Sequence, residues 1–157
     1  MEITENTFIE ILGLPEWDDK VLDLLDYLEL KRPVLKKDEV DKFLNSDKYG
    51  IELFFCGRVT TDLQKELEST DSIFLSHVSF DKNTTLTMPY NINMGDDYKT
   101  IVSKVGRESD TPEAYQEGDC GWGDTVKPYW LQCNFTNDDM ENLEELFIRI
   151  QVPYKFD

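Results

Sequence analysis

The chain has one histidine, three cysteines and 33 acidic side chains, and any catalytic or metal site would have to be built from these groups. His77 lies inside Ile73–Phe80, a segment with strand character. No motif surrounds it, so a structural or edge role is expected rather than that of a general base. Cys56 and Cys133 each fall in apolar, strand-like runs and read as buried, inert thiols. Cys120 sits in Gly118-Asp119-Cys120-Gly121, which reads as an exposed loop. Carboxylates nearby would raise its pKa, the wrong direction for a nucleophile. No catalytic residue is assigned.

Metal and phosphate chemistry find equally little support. Asp96-Asp97 and Asp138-Asp139 offer oxygen ligands, but neither pair is set in a calcium loop with its glycine and closing glutamate. Both pairs suit helix starts and turns better. Gly118 to Gly123 would place acids where a phosphate has to sit. The odd cysteine count and the lack of a CxxC pair suggest neither a disulfide framework nor a zinc site. Nothing singles out two of the many acids as a hydrolytic pair. No cofactor or metal is expected.

What remains is recognition. The segment 107–127 combines Asp110, Glu113, Glu117, Asp119 and Asp124 with Tyr115 and Trp122. Aromatic anchors within a charged rim are the usual make-up of a binding hot spot. An alternative stays open, in which the tryptophan folds back onto the sheet. Glu66, Glu68 and Asp71 offer further acidic contacts from a charged connector, Gly57 to Asp71, in the first half.

The elements that must position these residues can be read from periodicity. Val21, Leu24, Leu25 and Leu28 form the stripe of a helix over about Asp18 to Leu30, started by two aspartates and closed before Pro33. Val40, Phe43 and Leu44 suggest a further helical turn. Ile51–Cys56 is apolar on both faces near its end, as in a central strand. Ile73–Phe80 is a strand, and a short one is predicted around Thr85 to Met88. After Gly95 the pattern returns: Tyr98, Ile101, Val102 and Val105 form a helix stripe over Asp96 to Val105. Strands then follow at Tyr129–Phe135 and Leu143–Ile150, the last entered through a helical turn from Asp138. A helix over the whole of that final segment is the alternative reading.

This order predicts an α+β fold. Two tandem helix–strand–strand repeats, roughly residues 8–88 and 89–157, would share one antiparallel sheet with the helices packed on one face of a single domain. With 39% hydrophobic residues the chain can bury a core unaided. Its net charge of -17 repels nucleic acid and anionic membranes and draws cationic partners. Met1 to Phe8 lacks the basic and apolar runs of a signal peptide, and no run approaches the roughly 18 apolar residues of a membrane span. A cytoplasmic protein is expected, of unspecified oligomeric state.

Leu12-Gly13-Leu14-Pro15 ahead of an amphipathic helix, with the strands Gly50–Phe55 and Phe74–Phe80, is similar to small bacterial immunity proteins. Those proteins accompany polymorphic and contact-dependent growth-inhibition toxins. The tandem arrangement also resembles the duplicated fold of the beta-lactamase inhibitor protein. The resemblance implies a non-enzymatic protein that neutralises a cognate toxin domain, and the charge favours a basic nuclease as that toxin. A DNA mimic that occupies a DNA-binding enzyme, or a small carboxylate-dependent hydrolase, are the competing expectations.

Overall fold

The structure is a computed structural model that describes residues 1–34, 36, 39, 41–57, 73–111, 118–123 and 129–150. Glu66, Glu68, Asp71, Glu113, Tyr115, Glu117 and Asp124 lie outside the described residues. Helix α1 is Thr7–Ile11, α2 is Asp19–Tyr27 and α3 is Tyr98–Val105. The strands are β1 Asp41–Ser46, β2 Ile51–Cys56, β3 Phe74–Phe80, β4 Asp119–Gly123, β5 Tyr129–Phe135 and β6 Leu143–Ile150. A 3-10 turn, Pro89–Asn91, lies between β3 and α3.

Both longer helices begin where carboxylates cap them. Asp18 accepts the Lys20 N–H at 2.9 Å, and Asp97 accepts the Thr100 N–H at 2.8 Å. Hydrogen bonds from Thr100, first from its side chain and then from this backbone N–H, hold the Asp97 carboxyl below its ordinary value. Val21, Leu24, Leu25 and Leu28 are buried as their spacing requires, and Ile101 is the buried anchor of α3. At its far end α3 stops on Gly106, in the left-handed conformation, whose N–H closes on the Val102 carbonyl.

The six strands form one antiparallel sheet in the order β1-β2-β3-β6-β5-β4. Its inner face and the apolar sides of the helices make a single core, in which Phe8 meets Phe80 edge-on at 4.9 Å. The α+β class and the antiparallel sheet are therefore as expected, but each of the two longer helices is followed by three strands rather than two. The residues of β1 were expected in a helical turn; they pair instead with β2, Phe43 opposite Phe54. Those of β4 were expected in a loop, yet they pair with β5 along their whole length. No strand forms over 85–88, and α1 adds a helix that the periodicity did not suggest. The last segment enters a turn at Asp138 and becomes β6, so the strand reading of it holds.

The two halves share local detail. The register of β2 and β3 shifts between Phe54 and Phe55, leaving Ser76 unpaired, and that of β5 and β6 shifts between Asn134 and Phe135, leaving Glu144 unpaired. Just before α2, the N–H of Gly13 donates to the Leu75 carbonyl at 2.7 Å, and the Leu75 N–H donates to the Leu14 carbonyl at 3.0 Å. Ahead of α3, Gly95 donates to Leu143 at 2.9 Å and Leu143 donates to Asp96 at 3.0 Å. Gly13 and Gly95 have φ of 90° and 88°. Each of the two leucines stands next to the bulge residue of its strand.

Candidate functional site: the open face of the sheet

Side chains on a strand alternate between faces. Where Leu53, Phe55, Val78, Leu131, Cys133 and Ile148 point into the core, their neighbours point out. Register then lines the outward residues into files that run across the sheet. One file crosses all six strands: Phe43, Phe54, His77, Arg149, Trp130 and Gly123 are successive cross-strand partners. The next reads Asn45, Glu52, Ser79, Phe147, Gln132 and Gly121. At a strand spacing of about 4.8 Å each file spans roughly 24 Å.

Phe43, Phe54, Phe147 and Trp130 do not belong to the core that holds every inward apolar residue. Phe43 is 62% exposed, and its ring lies 4.5 Å from that of Phe54. The His77 ring stacks on Phe147 at 4.8 Å. Trp130 lies across Gly121: a Cβ added there would come within 2.1 Å of the indole. The glycine is therefore what lets the ring lie flat on the strand. The Trp130 indole N–H donates to Gln132 at 3.2 Å, Gln132 donates to Asn134 at 2.9 Å, and Asn134 donates to Glu145 at 2.8 Å. This bonded line fixes the outer side chains of β5 before any partner arrives.

Carboxylates frame the rings. Asp41 and Glu52 flank Phe43 and Phe54 on the outward side, and Glu145 and Asp119 lie on the same face at the other end, both in register with Asn134. Against these four, Arg149 is the one outward guanidinium among the described residues. His77 has its pKa lowered, first by burial and then by the Arg149 charge, which favours a neutral ring at pH 7.

The sequence-predicted residues divide across this geometry. Asp119 is on the open face, and burial raises its pKa. Asp110 guards the edge of β4: it pairs with Arg107 and accepts the Gly123 N–H at 2.8 Å. The Arg107 bond lowers its pKa. Trp122 is not a surface anchor. Alternation turns it inward, where it is 2% exposed and its indole N–H donates to the Arg107 carbonyl at 2.9 Å. Its expected part in partner contact is thus corrected, and the folded-back alternative describes it. Cys120, expected in an exposed loop, is buried at 3% directly opposite Cys133. The Cys133 thiol is pushed well up by its hydrogen bond with Cys120 and by burial, the opposite of what activates a nucleophile.

Phe43, Phe54, Phe147, Trp130 and Arg149 were not singled out from sequence. The signal was Phe54, an apolar residue on the second face of a strand, in a chain whose predicted helices can cover only one side. Among the described residues no three His, Cys, Asp or Glu gather as a metal site would require, and no helix is long and apolar enough to cross a membrane. No protein-family model, curated protein or solved structure matches the chain.

Proposed function

We propose that this chain is a cytoplasmic immunity protein, which binds and neutralises a cationic toxin domain without itself being an enzyme. The observation that carries this reading is the sheet face opposite the described helices, where paired aromatic rings share the surface with carboxylates. Aromatic anchors supply affinity once desolvated, and surrounding charge supplies rate and partner choice. A net charge of -17 extends the same field over the whole molecule and steers a basic partner from a distance. The partner we favour is a nuclease toxin, whose substrate cleft is basic. Asp110 and Asp119, at the β4 end of the face, remain contact candidates; Glu113, Tyr115, Glu117, Asp124, Glu66, Glu68 and Asp71 are candidates on their sequence alone.

The scaffold we propose is a duplication, with the repeat enlarged to one helix and three strands. Matching bulges at Ser76 and Glu144, and matching glycine turns at Gly13 and Gly95, support it. Ser79 and Phe147 each stand three residues beyond their bulge, and they face each other where the halves join. Chance similarity of two helix stripes would not reproduce that register.

The experiment is co-expression with the toxin domain encoded by the adjacent gene. A complex that co-purifies at low salt and protects cells from the toxin supports the proposal; no complex and no protection sinks it.

A further inference from the structure

Within the open face, the two ends differ in what they can accept. At the Trp130 end the indole N–H is already donated to Gln132, the ring covers Gly121, and Arg149 stands opposite in register. A second cation arriving there meets a like charge. At the β1–β2 corner, Phe43 and Phe54 form a tilted pair of rings with Asp41 and Glu52 exposed beside them on the same side. Lys42, between Asp41 and Phe43, alternates to the other side and pairs with Glu39 at 2.5 Å. Arg149 is two strands away from Phe54, roughly 10 Å, which is about one Debye length in ordinary buffer. Among the described residues, then, this corner presents rings and carboxylates with no cation of its own on the outward side.

We infer that the Phe43–Phe54 corner is the anchor for an arginine side chain on a basic protein partner. This rests on the proposal above that the partner is cationic, and it names the contact that partner makes. A guanidinium is planar and weakly hydrated. It stacks on a ring face while its N–H fork reaches a carboxylate, and a lysine ammonium cannot do both. Phe43 is the ring most open to such stacking, and Asp41 and Glu52 are each two residues along a strand from a ring, about 7 Å, within reach of an arginine lying across the pair.

The test titrates the intact protein with hexa-arginine and hexa-lysine amides, following the aromatic resonances of Phe43, Phe54 and Trp130 by NMR. Hexa-arginine should bind several-fold more tightly than hexa-lysine and move Phe43 and Phe54 most. Phe43→Ser, at an exposed position, should weaken hexa-arginine binding about tenfold. The Asp41→Asn/Glu52→Gln double variant should weaken it comparably, whereas Asp23→Asn/Asp26→Asn on α2 should change it less than about twofold. Equal binding of both peptides, shifts spread over the helical side, or an unchanged Phe43→Ser variant would overturn the inference. So would a Phe43-dependent dimer in sedimentation equilibrium without peptide, because a second copy would then be the occupant. None of these readouts uses the toxin. A corner that binds arginine in a protein giving no protection leaves this inference standing and removes the toxin reading, and the reverse pattern does the opposite.

Discussion

Trp130 and Gly121 show how one missing methyl group shapes the face. The indole occupies the space a Cβ would fill, so Gly121→Ala must push the ring off the strand and break its bond to Gln132. We expect a loss of about 1–3 kcal/mol in chemical denaturation, with a shifted Trp130 indole resonance. His77 carries a second residue-scale consequence. Its pKa is lowered in the folded state by burial and Arg149, so the unfolded chain takes up a proton first as pH falls. Stability attributable to His77 is therefore full above its ordinary value of 6.5. It declines below that value until the folded ring is protonated too. Between about pH 7 and pH 5, His77→Gln should lack this component of the pH dependence. The difference between the two proteins isolates it from the relief of carboxylate repulsion that both share. From sequence alone His77 reads as a structural or edge residue. Its place in a file of rings is not legible there, because register between distant strands is not written in either strand.

Among the elements, β2 and β5 were readable residue for residue, since alternating or doubly apolar runs bounded by turn residues have few other homes, whereas the residues of β6 fitted a helical spacing as well as a strand. The two longer helices were likewise clear from stripe and cap. Two edge strands escaped. At β1, Phe43 and Leu44 follow Val40 at a helical spacing in sequence, and only the partner strand β2 decides otherwise for Asp41–Ser46. In β4, Asp119-Cys120-Gly121-Trp122-Gly123 has the composition of a loop, and its glycines make sense only once Trp130 is seen lying over one of them. Reading β4 as a loop also gave Trp122 and Cys120 the wrong side, because face alternation applies only to a strand. The two faces of the sheet predict opposite mutational behaviour. Leu53→Ala, at a fully buried site of β2, should cost about 2–5 kcal/mol. Phe43→Ser on neighbouring β1 should lose only its cross-strand ring pair with Phe54, about 0.5–1.5 kcal/mol. Thermal melts of the pair read this directly, and a large loss in Phe43→Ser would mean that its ring supports the fold rather than a partner.

For the whole molecule, the same carboxylates act against folding and for association. A net charge of -17 on 157 residues repels itself, so added salt up to about 0.5 M should raise the melting temperature while slowing capture of a basic partner. Melting curves and association rates across one salt series test both signs together. Composition announced this field plainly. It did not reveal that the described helices all pack on one side of a six-stranded sheet, so that among the described residues rings and carboxylates meet on the other. The most direct trial of that idea is calorimetric titration of the proposed toxin partner into two altered proteins. Phe43→Ser/Glu52→Gln/Glu145→Gln, on the open face, should bind at least about a hundredfold more weakly than the parent. Asp23→Asn/Asp26→Asn, on α2, should bind within about threefold of it. The reverse ranking, with the open-face variant unimpaired and the helical one crippled, would contradict the assignment of the sheet face as the binding surface.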